Sequence, residues 1–228
     1  MIEHVYRRTC LCKTLDEVYL ATCDSEIAEA TERFGGRVVM TASSHQRASD
    51  RVAEVAQNIE ADIVVMVQGD EPMVLPEMID LTLEPLLRDP KVVCANLAVP
   101  IQSESEFLDP NTIKVVIAEN GDALYFSRQP IPSHGRLPFG RFPAYRQVCV
   151  IPFRRDFLLR YSSLRPTSLE QAESIDMLRA LEHGYPIRIV QADFLVQSVD
   201  TPADLERARL LMRNDPHMLR YGQREVMQ

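Results

Sequence analysis

The chain has 228 residues, about one and a half times a typical domain, and its 46% apolar and 25% charged residues exclude a disordered tail and a fibrous protein. Lys and Arg number 25 against 33 Asp and Glu, and the net charge of −8 argues against a nucleic-acid or anionic-membrane surface, because both need a broad basic face. No apolar run approaches the ~20 residues of a membrane span, and the opening MIEHVYRRTCLCK lacks the order of a signal peptide, so the expected location is cytoplasmic.

Residues 1–12 carry apolar side chains at 1, 2, 5, 6 and 10–12 and read as a helix. In a parallel sheet such a helix normally connects two strands, and here no strand precedes it. The two readings are an α-first variant of the fold, or a sequence that starts one strand and one loop late. From Glu17 the chain alternates between β-rich runs, VYLAT (18–22) and RVVMT (37–41), and amphipathic stretches at 27–34 and 51–60. The run DIVVMVQ (62–68) is continuously apolar, as expected of a central parallel strand covered on both faces. A helix is predicted at 76–88, opened by Pro76 and stopped by Asp89-Pro90. Further strands are predicted at 91–99, 112–119, 123–127, 147–153 and 187–197, and helices at 154–163, 168–183 and 202–213, the last capped by Thr201 with Pro202 in its first position. The runs 112–119 and 123–127, joined around Asn120-Gly121, read as an antiparallel hairpin. The pattern is α/β: one domain over 1–228 with a mostly parallel, Rossmann-like sheet and a hairpin-and-loop subregion at about 112–150.

The strongest local signal is Gln68-Gly69-Asp70-Glu71-Pro72, at the carboxyl end of the central strand, where open α/β sheets bind ligands. Asp70 offers hard oxygen to Mg²⁺, Gly69 allows close backbone approach, and Gln68 both donates and accepts hydrogen bonds. The bland alternative is a capped turn. Asp200, after the last strand and ahead of the last helix, either caps that helix or joins Asp70 in sharing a metal with a bound triphosphate. The histidines at 4, 45, 134, 183 and 217 have no zinc-ligand spacing, and the five cysteines form no CxxC pair and read as reduced. Arg51, Lys114 and Arg128 sit at strand or helix ends, where they either hold a phosphate or substrate carboxylate or are solvated surface charges.

Together, HQRASDRVAEV, VVMVQGDEPMV, ANLAVPI, DPNTIKVVIAENGDALYFSRQPIP and VDTPADLERAR resemble the 3-deoxy-manno-octulosonate (Kdo) cytidylyltransferases, in the same order and over essentially the whole chain. The resemblance implies a nucleotidyltransferase fold in which CTP and a 2-keto sugar acid give the CMP-sugar and pyrophosphate with Mg²⁺, for lipopolysaccharide biosynthesis. It further implies Asp70 and Asp200 as metal carboxylates, Arg51 and Gln68 on the nucleotide side, and Lys114 and Arg128 facing the sugar. The family is commonly dimeric, with the 129–143 loop and the hairpin as candidate contacts.

Two departures stand out. The family opens with a strand and a phosphate-cradling loop of the type PARxxSxRLPGKPL, and nothing here matches it; Met1–Val5 corresponds to the helix that follows. Without that strand its neighbours are expected to lack ladder partners, and the most economical reading places Met1 inside a longer protein. The family's HxGxYxY and LEQLR, on the sugar side, are here Gln147-Val148-Cys149-Val150-Ile151-Pro152-Phe153 and Ile175-Asp176-Met177-Leu178-Arg179. Gln147 and Asp176 remain substrate-binding candidates, but the lost ring, hydroxyl and amide point also to an acceptor other than Kdo. A non-catalytic paralogue without the phosphate clamp is the alternative from a different class.

Overall fold

A computed structural model describes residues 1–133 and 135–222. In chain order the first elements are α1 (Ile2–Thr9), β1 (Leu20–Thr22), α2 (Ser25–Arg33), β2 (Val38–Met40), α3 (Ala48–Gln57), β3 (Ile63–Val67) and α4 (Pro76–Arg88). There follow β4 (Ala95–Pro100), α5 (Glu104–Leu108), β5 (Lys114–Ile117), β6 (Ala123–Ser127), β7 (Tyr145–Val148) and β8 (Val150–Arg154). The rest is α6 (Arg155–Ser162), α7 (Ser168–Glu173), α8 (Met177–Glu182), β9 (Arg188–Gln191), α9 (Pro202–Met212) and α10 (Pro216–Gly222). The chain gathers into two compact units, one of residues 1–43, 67–80 and the chain from Leu195 onward, the other of 44–66 and 81–194.

In the first unit β1 and β2 pair in parallel, Leu20 opposite Val38. Between them α2 starts where the Asp24 carboxylate accepts hydrogen bonds from the N–H groups of Glu26 (2.8 Å) and Ile27 (3.2 Å), satisfying two of the donors a helix start leaves open. The amphipathic α1 turns Val5, Arg8 and Thr9 inward. Arg8 is fully buried, donating to the Val74 carbonyl at 3.4 Å and pairing with Asp215 just before α10. His4 and the Tyr221 hydroxyl, 3.0 Å apart, complete the junction of α1 and α10.

The second unit holds a five-stranded sheet in the order β6-β5-β7-β4-β9 and a separate β3-β8 pair. The hairpin of β5 and β6 forms as its sequence predicts, with Lys114 opposite Ser127. Its turn uses Gly121 at φ +84°, a left-handed conformation that a side chain would strain. The α/β class is as expected, but the antiparallel share of the sheet is larger than one hairpin. β7 runs antiparallel to both β4 and β5, and only β4 and β9 pair in parallel in this sheet. Phe126, Phe153, Phe157, Leu158, Tyr161, Met177 and Leu178 form the buried core beneath these strands, each apolar side chain contributing about 1.5–3 kcal/mol by leaving water.

Three predicted elements change in instructive ways. The run 147–153 is two strands: β7 ends at Val148 in the large sheet, and β8 starts at Val150 beside β3. Among the described residues β3 pairs only with β8, and β1 only with β2, so β3 is an edge rather than a central strand. A continuous apolar run does not fix the number of ladder neighbours, and β3 is only partly covered, with Met66 alone of its residues fully buried. The predicted helix 168–183 breaks at Ser174, whose left-handed backbone (φ 55°, ψ 48°) separates α7 from α8 and delivers Asp176 to the start of α3. Among the described residues no helix is long and apolar enough to cross a membrane.

Candidate active site

In the first unit the turn after β3 presents Asp70. The N–H of Glu71 closes on the Gln68 carbonyl at 3.2 Å, which bends the chain sharply and leaves Gln68 half-buried beside the turn. A Cβ added at Gly69 would lie 3.0 Å from Ile2 Cδ1, the end of a flexible side chain, so α1 packs closely against the turn. Asp70 Oδ1 is buried and has no hydrogen-bond partner. Burial first, and the charge of Asp200 in addition, raise the Asp70 carboxyl above the usual carboxylate range. A buried orphaned oxygen facing a like charge is costly unless a cation is shared there.

Asp200 is not the cap of α9. Thr201 accepts from the N–H of Asp204 at 3.3 Å, and Asp204 accepts from the N–H of Thr201 at 2.9 Å, a reciprocal capping box. Asp200 lies exposed one residue before the cap. The two carboxylates fit a divalent cation that takes one or two protein oxygens and fills its shell with phosphate and water. Among the described residues no group of three or more His, Cys, Asp and Glu side chains gathers as a metal cluster, and His134 lies outside the described residues.

The remaining candidates lie in the second unit. Arg51 is half-buried in the first turn of α3. Lys114 is fully buried, and its three ammonium donors reach the carbonyls of Asp109 (2.8 Å), Thr112 (2.7 Å) and Arg128 (2.6 Å). Burial lowers this ammonium to about 8. Arg128 likewise donates to main-chain carbonyls, those of Glu173 (2.8 Å), Pro110 (3.1 Å) and Ser174 (3.5 Å). Both cations read from the sequence as facing the sugar thus tie loops together through backbone oxygens. Gln147 is buried in β7 with its amide on Asn96, which in turn donates to the carbonyls of Leu97 and Val148. Asp176 accepts from the N–H (3.1 Å) and hydroxyl (2.7 Å) of Ser49, capping α3 from another element. Burial dominates its raised carboxyl, with the Ser49 bonds opposing.

A buried charge network next to Arg51 was not legible in the motifs. Arg179 donates to both oxygens of Glu170 (2.8 and 2.7 Å) and to Asp50 (2.7 Å), and its guanidinium stacks 4.8 Å from the centre of the Tyr161 ring. Arg47 adds a pair to Glu170 at 3.3 Å and a bond to the Ser174 hydroxyl at 2.6 Å. Glu173 accepts from the Ser127 hydroxyl, the Tyr125 hydroxyl and the Arg128 N–H at 2.7, 3.3 and 2.8 Å. The one local signal was Thr167-Ser168-Leu169-Glu170, a capping-box spacing that places Glu170 at the start of α7.

A family model described as cytidylyltransferase matches residues 1–209. The chain is 45% identical over 216 residues to a 3-deoxy-manno-octulosonate cytidylyltransferase of Geobacter metallireducens, covering 91% of this chain and 85% of the relative. It is 44% identical over 218 residues to that of Pelobacter propionicus, covering 92% and 86%. Among solved structures, a CMP:2-keto-3-deoxy-manno-octonic acid synthetase complexed with CTP superposes with a TM-score of 0.83 at 39% identity, covering 92% of this chain and 86% of that one. A 4-diphosphocytidyl-2C-methyl-D-erythritol synthase from Anaerococcus prevotii, with a TM-score of 0.58 at 13% identity over 93% and 89% of the chains, shares the fold alone. With this identity sustained over nine-tenths of its length, the chain belongs to the 3-deoxy-manno-octulosonate cytidylyltransferase family.

Proposed function

We propose that the chain transfers the cytidylyl group of CTP to Kdo, giving CMP-Kdo and pyrophosphate, with Asp70 and Asp200 holding Mg²⁺. In the reaction the anomeric hydroxyl of the sugar attacks the α-phosphorus, a new P–O bond forms, the bond to the β-phosphate oxygen breaks, and the hydroxyl proton passes to solvent. The bound ion, when present, neutralises charge on the phosphate oxygens and favours the deprotonated nucleophile. The observation that carries the reading is the buried, unpartnered Oδ1 of Asp70 beside the charge of Asp200. Asp70 binds through that oxygen, and the Gln68–Glu71 turn keeps it at the strand end. Arg51 and Gln68 are assigned to the nucleotide. The assignment of Lys114, Arg128, Gln147 and Asp176 to the sugar side is through the elements they brace, loops for Lys114 and Arg128, the β4–β7 pair for Gln147 and the start of α3 for Asp176, since each has donors or acceptors engaged with protein groups.

The acceptor has a second reading. Ile151 and Met177, which replace a tyrosine and a glutamine of the family pattern, are 2% and 0% exposed in the apolar core, so these positions offer an acceptor neither the hydroxyl nor the amide of the pattern, the difference on which this reading stands. We read the reaction as cytoplasmic, where CTP is made, and the assembly as a homodimer, which light scattering of the full chain tests. Phosphorus NMR of the chain with Mg-CTP and a panel of 2-keto sugar acids tests the chemistry. A new phosphodiester signal alongside pyrophosphate with Kdo supports the first reading, and the same signals with a different acid alone support the second. Silence with every acceptor from the folded protein contradicts both.

A further inference from the structure

The metal pair of the proposed function sits on two segments that approach each other within the first unit, and one of them has no regular structure. Residues 195–201 form neither helix nor strand, so neighbouring contacts must set the position of Asp200. Two contacts do so. The N–H of Val199 donates to the carbonyl of Asp70 at 2.9 Å, and the hydroxyl of Ser198 donates to Glu71 Oε1 at 2.9 Å. Each lies immediately beside a metal carboxylate: Glu71 follows Asp70, and Ser198 and Val199 precede Asp200. Glu71 is only 4% exposed, and a carboxylate is costly to bury for packing alone. Its own backbone continues the brace, since its carbonyl accepts from the N–H of Val74, whose carbonyl receives the buried Arg8.

We propose that Ser198 and Glu71 are positioning residues, a side-chain buckle that holds the Asp70 and Asp200 carboxylates at the spacing a single divalent cation needs. The inference rests on the proposed metal site. Groups that orient metal ligands from behind typically change metal affinity by about 10–100-fold when removed. Loss of the Ser198 hydroxyl removes one of the bonds between the two segments and leaves the Val199–Asp70 backbone bond in place, so the spacing of the carboxylates loosens while the fold remains.

The test is a titration of the full chain with Mn²⁺ alone, followed by the paramagnetic signal of the free ion, for the wild type, Ser198→Ala, Ser198→Thr and Asp70→Asn. The buckle predicts that Ser198→Ala weakens Mn²⁺ binding about ten-fold or more while Ser198→Thr, which keeps the hydroxyl, stays within about two-fold of wild type. A purely structural serine would move the urea midpoint and not this split. Equal Mn²⁺ affinity for Ser198→Ala and wild type, with Asp70→Asn weakened, overturns the buckle and leaves the metal site standing. Wild type no better than Asp70→Asn overturns both. If Ser198→Ala fails to fold, Ser198→Cys, a weak donor of similar size, takes its place with the same expected loss.

Discussion

Replacing Glu170 with alanine is the most demanding perturbation of the second unit. Glu170 is 1% exposed and receives two bonds from Arg179, which is itself 3% exposed, as well as the ion pair from Arg47. Removal leaves Arg179 buried with Asp50 as its one remaining carboxylate and Arg47 with Asp176 at 3.8 Å. Breaking a buried pair from one side costs about 3–5 kcal/mol, because the surviving charge keeps its desolvation penalty without its partner. In a chain of this size each kcal/mol shifts the melting midpoint by about 2–4 °C, so a loss of roughly 6–20 °C is expected by calorimetry. The pH dependence gives a second handle. Burial alone would raise the Glu170 carboxyl, but the Arg179 bonds and charge outweigh it, and the folded value lies below the ordinary 4.5. A depressed carboxylate contributes stability that is complete above the unfolded value and is lost as pH falls through the folded one. Glu170→Gln is therefore expected to flatten the acid limb of the stability profile below about pH 4.5. A melting midpoint within about 2 °C of wild type for Glu170→Ala would refute the reasoning, since it would mean that the charges are solvated rather than buried.

Three smaller outcomes follow from the same geometry. Lys114→Met keeps the aliphatic stem but leaves three main-chain carbonyls without their charged donor, so a loss of about 3–5 kcal/mol in urea unfolding is expected, and a loss below about 1 kcal/mol would contradict the strut. Thr201→Ala removes the capping box of α9 at a cost of about 1 kcal/mol, read as a lower urea midpoint; no shift would return the capping role to Asp200. Phe107→Ala empties a fully buried ring that contacts Phe139 and Phe142 at centroid distances of 5.7 Å, for about 3–5 kcal/mol, and is expected to raise amide exchange in the 129–143 loop above that of the rest of the sheet.

Local chemistry wrote much of the fold into the sequence. Pro76 and Asp89-Pro90 bound α4 as predicted, Asn120-Gly121 turns the β5–β6 hairpin, and Thr201-Pro202 opens α9. What periodicity could not fix was partnership. The one breaker in the run 147–153, Pro152, lies inside β8 and not at the switch, yet the chain leaves one sheet and joins another across Cys149, because strand pairing depends on distant residues. Ser174 breaks a helix with a left-handed backbone that serine seldom adopts, and the compensation lies far along the chain in the Asp176 bonds to Ser49. At the site, the sequence singles out Asp70 by its place at the end of an apolar strand, and the structure puts a buried oxygen without a hydrogen-bond partner there. Lys114 and Arg128 show the converse: a cation in a motif carries no mark of whether its donors point to a ligand or to backbone carbonyls. The Arg179–Glu170–Asp50 network was hidden for the same reason, since its members are up to 129 residues apart.

The most direct measurement compares pyrophosphate release by wild type and Asp70→Asn, with CTP, Kdo and increasing Mg²⁺, on samples whose circular dichroism is the same. The account predicts Mg²⁺-dependent release from wild type that requires the sugar acid, and a loss of about a hundred- to a thousand-fold in Asp70→Asn, the scale of removing one major electrostatic contact to the transition state. Release by Asp70→Asn at the wild-type rate, with the same Mg²⁺ dependence, would remove Asp70 from the metal site and with it the central claim.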